Sequence, residues 1–421
     1  MFFVIPMNNL FNVPSGAMCV RCKGTKLLCG KERCPVLLKF YVKQKIEPLI
    51  NSLTLNGASP PSVFVGSFNY PRVFIGPMIP PMHGDTSLMD YPERWTGLSI
   101  DEIVNFRFQL VRGKYLTDVH NFEGRIIEQT QEIAMAKSCP DTEVIFKSKP
   151  MGRMVLDDEI APFGPSAKIE QLEVNSIKSE QSIEKAYYDG DLKAKDAVFR
   201  LYDKGLPVSQ IQKSFSVGLF GIDKNRKFVP TRWSITAVDS TLGGILLEDT
   251  KEYPIINEYR IYETTALDNR WIILMLPREW CYELIEAWYP KTIWNPDGKE
   301  IMMISSHEFF KGRKTYPEIG GCYFASKLAI NELLTQEKRQ AGVVVLREAH
   351  AGYIMPLGVW VVREGVRRAL KTEPQKFASL SECLNYISKK MDISLKTWLK
   401  HSAVLRETMT QRRLTDFYES K

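Results

Sequence analysis

Apolar residues recur along this chain with two periods, and the switches between them mark out the elements. Lys39 to Leu55 reads as a helix, with Phe40, Val42, Ile46 and Leu49 in its apolar stripe. Two β-rich runs follow, Val63-Phe64-Val65-Gly66 and Tyr70-Pro71-Arg72-Val73-Phe74-Ile75-Gly76-Pro77, each bounded by Gly and Pro as strands and turns are. Trp95 through Val111 returns to helical spacing through Ile100, Ile103, Phe106 and Leu110. Ser166 to Ser182 is polar and poor in aromatics and reads as a connecting loop or mobile insertion. Asp191 to Lys204 is amphipathic, Gly205 to Ser209 ends it, and Ser209 is placed to cap a second helix through Ile211 and Phe215.

In the second half, Ile255 to Glu263 and Arg270 to Leu276 flank an Asp268-Asn269 turn, the outline of a β-hairpin. Glu279 through Trp288 reads as a helix, Phe324 to Lys338 as a second, Val343 to Leu346 as a buried strand, and Val359 to Leu370 as a third helix. Two more helices, at 376–390 and 395–405, precede the end. The strands are short and scattered, with no sustained βαβ alternation, so the expected fold class is α+β. The expected organisation is a metal-binding module over 1–50, α+β bodies over 51–250 and 251–405, and a mobile tail over 406–421.

Composition narrows the class. Of 421 residues, 44% are hydrophobic and 25% charged, ordinary for a soluble protein, and no apolar run is long enough to span a bilayer. The start, Met1-Phe2-Phe3-Val4-Ile5-Pro6, lacks a basic region and is broken by proline, which argues against a signal peptide and for a cytoplasmic protein. The net charge of +7 is uneven: residues 1–50 carry +6, 311–421 carry +9, and the middle carries −8. Basic ends on an acidic middle suit contact with a polyanion such as DNA, and equally an unevenly charged solvated surface.

Four of the eight cysteines, Cys19, Cys22, Cys29 and Cys34, form a C-x2-C-x6-C-x4-C cluster with Gly24, Gly30 and Pro35 at its turns. Four thiolates with no open position describe a structural zinc site. An iron–sulfur cluster is served by the same ligands and stands as the alternative. Scattered Cys139, Cys281, Cys322 and Cys383 read as core thiols.

Candidate nucleic-acid contacts are few. The helix–glycine turn–helix over 191–215 has the outline of a DNA-binding pair, but its second helix offers only Gln210, Gln212 and Lys213 as polar reach. Arg226 and Lys227 precede Arg232 and Trp233, a set able to grip phosphate and stack a base, or to form a basic turn beside a buried Trp. No phosphate-cradling P-loop and no dinucleotide fingerprint occurs. The acidic triplet Asp157-Asp158-Glu159 suits a divalent metal or a solvated loop. Glu348, between Arg347 and His350 at a strand end, suits acid–base or transfer chemistry, or a salt bridge. No catalytic motif is recognisable, and a nuclease or ADP-ribosyltransferase-like transferase is the enzymatic alternative.

The last stretch, Gln411-Arg412-Arg413-Leu414-Thr415-Asp416-Phe417-Tyr418, can close a single 3₁₀ turn. Leu414, Phe417 and Tyr418 would then form an apolar plug with Gln411 as a polar hook. The pattern resembles the PIP box by which replication and repair proteins hold the sliding clamp PCNA. The alternative is that these residues dock on the protein's own core.

With the cysteine cluster, the runs Val63 to Gly66, Tyr70-Pro71-Arg72-Val73 with Gly76-Pro77, Pro162-Phe163-Gly164-Pro165-Ser166, Val229 to Thr236, and Gly358-Val359-Trp360 with Arg363-Glu364 resemble the archaeal NreA family of DNA repair proteins. The resemblance covers nearly the whole chain. It implies an archaeal cytoplasmic protein working in the DNA-damage response in contact with PCNA through its tail.

Overall fold

The computed structural model describes residues 22–23, 25–28, 34–151, 160–175, 177–292, 294–295 and 298–410. They form two compact units. One comprises Val36–Leu246 with Pro356–Glu364; the other takes Leu247–Met355, the described residues from Gly365 onward and the few before Val36. Each is built on its own six-stranded sheet, so the α+β class holds.

The first unit begins with helix α1 (Pro35–Ile50), four residues earlier than its apolar spacing suggests, because Pro35 suits a first helical turn where no amide partner is needed. Its sheet uses β1 (Thr54–Ala58), β2 (Val63–Val65), β3 (Arg72–Ile79), β4 (Val111–Asp118), β5 (Asp141–Phe146) and β6 (Ser166–Val174), in the order β1-β5-β6-β4-β3-β2. All neighbours are antiparallel except β4 and β6. Helix α2 (Ile100–Gln109) starts at Ile100 because Ser99 and Glu102 form a capping box, each side chain accepting from the other's amide. Trp95 lies outside the helix, buried, with its indole N–H donated to Leu88 O at 2.6 Å.

Helix α3 (Arg125–Met135) buries Ile127, Ile133 and Ala134 completely. Helices α4 (Gln181–Tyr188), α5 (Ala194–Asp203), α6 (Val208–Ser216) and α7 (Thr231–Thr250) complete the run. The α5–α6 pair turns through Gly205 at φ +81, as expected. However, Gln210 donates to Ala136 O, Gln212 to Asp239 and Lys213 to Asp90. The polar reach of the second helix is spent inside its own unit, which makes this a packing pair rather than a groove reader.

The second unit's sheet orders β7 (Tyr259–Ala266), β8 (Asn269–Leu276), β9 (Cys281–Trp288), β10 (Met302–Glu308), β11 (Gly342–Ala349) and β12 (Gln375–Phe377) as β10-β9-β11-β8-β7-β12. Only β9 and β11 run parallel. The β7–β8 hairpin turns through Leu267 and Asp268, both left-handed, one residue before the turn the sequence suggests. Helix α8 (Gly321–Glu337) falls between β10 and β11. After α9 (Trp360–Leu370), the helices α10 (Leu380–Lys390), α11 (Leu395–His401) and α12 (Ala403–Thr410) pack Cys383, Ile387, Trp398, Val404 and Leu405 against β8, β9 and β11.

Two expectations fail for opposite reasons. Cys281–Trp288 is a strand rather than a helix, and all eight of its residues are buried. Covered on both faces, it shows none of the alternation that marks a strand. Its two glutamates are answered locally: Glu283 accepts from the Ala403 and Val404 amides at 2.8 and 3.1 Å, capping α12, and Glu286 pairs with Arg347 at 2.7 Å. Ser166–Val174 is a central strand rather than a loop. It buries only Ala167, Ile169 and Leu172, and its polar outer face hides the element.

Candidate functional site

The residues that converge in the first unit come from distant stretches. Arg107 closes α2 and Arg112 is the second residue of β4, so the short link at Leu110 sets both at one corner. The Pro162-Phe163-Gly164-Pro165 segment lies across that corner. Pro162 O accepts from Arg107 Nε at 2.9 Å, and Pro165 O from the Arg112 amide at 2.9 Å. Gly164 is required there because a Cβ would stand 2.3 Å from Phe108 O. Gly358, at φ +101, lets its backbone approach Ala161, where a Cβ would meet the amide at 2.8 Å. The chain then turns into α9 and delivers Trp360 and Arg363. Trp360 stacks edge-on against Trp95 at 4.8 Å. From α7, Thr231 Oγ1 accepts the Val65 amide at 2.9 Å, tying it to β2.

Together these segments enclose a pocket of about 360 Å³. Phe64, Phe68, Phe74 and Phe163 supply its apolar walls, and Arg107, Arg112, Lys213, Arg232 and Arg363 its charges. Asp90 is the one acid among the described lining residues. Its carboxylate pairs with Arg107, accepts from the Ser62 hydroxyl and stands 3.2 Å from Lys213 Nζ. Burial pushes its pKa up, but Arg107 and Lys213 outweigh burial and hold it below the ordinary carboxylate range. Arg363 is buried against Asp239, with both contacts at 3.0 Å, and Gln212 supports the same carboxylate at 2.9 Å.

Arg112 differs from the others. Its guanidinium carbon lies 3.5 Å from the Phe163 ring centre and 5.0 Å from that of Phe64. Its Nε is buried with no hydrogen-bond partner. Burial, reinforced by the neighbouring Arg107 charge, pushes its pKa down to about 9. A guanidinium taken out of water without a counter-charge is costly, and an anion entering the pocket would relieve that cost.

Of the contacts expected from sequence, Arg232 lines this pocket. Trp233 is 43% exposed with its ring 5.2 Å from that of Tyr70. Lys227 is exposed. Arg226 is drawn inward: it donates to Gly221 O at 2.8 Å, pairs with Asp223 at 3.1 Å and lies over the Tyr187 ring. Sequence reasoning missed Arg107, Arg112 and Arg363 as site residues. The only signal was that four of the motif runs, unconnected in sequence, meet at this one cavity.

In the second unit, Glu348, His350 and Asp392 bring ligand atoms within 4.8 Å of one another. That set resembles a cation site, yet Arg270 already stands 3.7 Å from Glu348 and 2.8 Å from Asp392. Glu348 also accepts the Asp392 and Ile393 amides at 3.3 and 2.9 Å. Its buried carboxylate organises the loop after α10. Asp157, Asp158 and Glu159 lie outside the described residues, as do Gln411, Leu414, Phe417 and Tyr418. Cys19 and Cys29 also lie outside. Cys22 is buried and its Sγ accepts the Leu28 amide at 3.4 Å, while Cys34 sits half-buried just ahead of α1.

The archaeal Nre N-terminal family matches residues 28–295 and the archaeal Nre C-terminal family residues 308–417. The chain belongs to the archaeal Nre family of DNA repair proteins. It is 37% identical over 400 residues to the DNA repair protein NreB of Archaeoglobus fulgidus, covering 95% of this chain and 99% of that one. It is 35% identical to NreA of the same organism, over 89% of this chain and 94% of the relative. With NreA of Haloferax volcanii the identity is 30%, over 90% and 91%. No solved structure gives a significant match. No helix among the described residues is long and apolar enough to cross a membrane.

Proposed function

We propose that this protein is a DNA repair factor that works at the PCNA sliding clamp, tethered by Gln411, Leu414, Phe417 and Tyr418, and that it contacts DNA through the pocket face of its first unit. The DNA contact is carried by one observation: four of the family's motif runs converge on a cavity whose described lining holds five cations and one acid. Relatives named as DNA repair proteins support the setting, and the spacing of the tail supports the clamp. Trp233 and Lys227, both exposed, extend the same reading beyond the cavity.

Cys19, Cys22, Cys29 and Cys34 hold a structural zinc in this reading. The amide directed at Cys22 Sγ suits it, since such donors steady a metal-bound thiolate. A closed set of four thiolates supplies folding energy rather than reaction chemistry. Purified protein should therefore contain about one zinc per chain and no iron, and removing it by chelation should lower thermal stability without touching clamp affinity.

Calorimetric titration of PCNA tests the tether. The full chain and a synthetic peptide of residues 406–421 should bind, and the Phe417→Ala/Tyr418→Ala variant should not. Equal binding by that variant would remove the tail from the interface. Affinity of the full chain for DNA should fall steeply with salt, as expected where cations displace condensed counterions.

A further inference from the structure

Among the described residues, each lining cation except Arg112 has an answer within the protein. Arg107 and Lys213 share Asp90, and Arg363 has Asp239. Arg232 also interacts within the protein. Arg112 has two aromatic faces and a buried, unpartnered Nε. The rings hold the guanidinium at the pocket wall, and its Nε–H has no acceptor among the described residues. A planar fork of donors matches the paired oxygens of a phosphate or a carboxylate, and the DNA-repair setting of the relatives favours the phosphate.

Two further observations set what surrounds that phosphate. Phe68 lines the same cavity and is 78% exposed, an open aromatic surface suited to stacking a base. Lys114 lies two residues along β4, hence on the same face as Arg112. Its Nζ is 5.8 Å from the ring centre of Phe74, another lining residue. In the parallel register Lys114 stands opposite Lys168. A row of cations thus leaves the pocket along the sheet. The cavity, about 360 Å³, falls within the roughly 300–1,000 Å³ typical of small-ligand sites. It suits one nucleotide and no stacked base pair.

We propose that this pocket receives a single nucleotide unit, its phosphate on Arg112 and its base against Phe68, with the adjoining phosphates of a single DNA strand following Lys114 and Lys168. The inference rests on the DNA-contact half of the function proposed above and is independent of the clamp tether. It predicts a preference for single-stranded over duplex DNA, because a paired base must first be unstacked and unpaired.

The test uses the full chain, fluorescence anisotropy with labelled oligothymidylate and with a duplex of equal length, and competition by thymidine monophosphate and by thymidine. Wild type should favour the single strand, and thymidine monophosphate should compete far better than thymidine. Arg112→Gln should weaken the single strand roughly tenfold to a hundredfold, the range for a charge-assisted hydrogen bond. Arg112→Lys should recover only part, because it keeps the charge and loses the fork. Lys114→Ala/Lys168→Ala should weaken the oligonucleotide and leave competition by the mononucleotide unchanged, marking a strand as the ligand. Unaltered oligonucleotide binding in that double variant would overturn the strand path and leave the free nucleotide as ligand. DNA binding that survives Arg112→Gln, with unchanged melting and no competition by thymidine monophosphate, would overturn the pocket alone. Binding to neither DNA form would overturn the DNA-contact reading with it.

Discussion

Two arginines on two sheets show how alike a structural cation and a receptive one can look. Arg347, on β11, is buried among Trp271, Trp288 and Tyr353, its guanidinium carbon 4.6 to 5.5 Å from their ring centres. Arg112, on β4, is stacked on Phe163 and Phe64. The difference lies at their edges. Arg347 donates to Glu286 at 2.7 Å and Asn269 at 2.9 Å; burial alone would lower its pKa, but the Glu286 carboxylate outweighs burial and raises it. Among the described residues Arg112 has no such partner, and burial wins. A stacked arginine with a carboxylate holds a fold together; one without a carboxylate holds a vacancy for an anion.

The comparison breaks most directly at Arg347. Glu286→Ala leaves a buried guanidinium uncompensated and should cost roughly 3–5 kcal/mol, read by chemical denaturation. A loss below about 1 kcal/mol would mean that water reaches Arg347 and that the two arginines are not a fair pair. The opposite sign is expected at Arg112. Arg112→Met keeps the stem against Phe163 and removes the unanswered charge. It should leave stability unchanged or raise it by about 1–2 kcal/mol, while weakening nucleotide binding at least about tenfold. Stabilisation with loss of binding is the mark of a site maintained for a ligand. A clear loss of stability would instead place Arg112 with Arg347.

Much of the frame behind this contrast was legible. Helices such as Gly321–Glu337 and Trp360–Leu370 and the hairpin at Asp268 followed from period and turn residues. The site was not legible as a site. Val65 and Thr231 bond across a separation of 166 residues, and nothing in either run announces the other. Arg112 reads in sequence like any strand arginine, because its meaning depends on the absence of a nearby acid in space. Two residues that looked chemical in sequence are engaged within the fold: Glu348 is spent on amides and Arg270, and Arg226 on its own turn, whereas Arg232 lines the pocket. Chemistry named by residue type is local, whereas an unpaired charge is a property of the packed whole.

Asp90 sharpens the contrast from inside the pocket. Its carboxylate keeps Arg107 and Lys213 from repeating the state of Arg112. Because its pKa is held below the ordinary carboxylate range, its stabilisation is present above that range and is lost as pH falls through the depressed folded value. Wild type should lose stability on acidification more steeply than Asp90→Asn. That variant should also bind thymidine monophosphate several-fold more tightly, since two more cations then face the ligand. Weaker binding by Asp90→Asn would mean that Asp90 acts by positioning Arg107, and the pocket's charge balance would need another account.

The smallest effect belongs to the second unit, in the cluster around Glu348. His350 stands 3.4 Å from Glu348, stacks on Tyr289 at 4.4 Å and faces Asp392 at 3.9 Å, with Arg270 and Asp268 also acting on the group. The interaction with Glu348 raises its pKa, against an opposing contribution from burial. A raised histidine stabilises fully below its unfolded value of about 6.5, and that contribution disappears as pH rises through the folded value. Melting temperature should therefore drift down between mildly acidic and mildly basic pH, by an amount matching less than about 1 kcal/mol, since the ring is partly exposed. His350→Gln should flatten the drift and leave nucleotide binding in the first unit unchanged. A flat wild-type profile would show that Arg270 alone compensates Glu348 and that the imidazole remains neutral. Any change in nucleotide affinity on His350→Gln would couple two clusters that share no residue, and would end the treatment of one as purely structural.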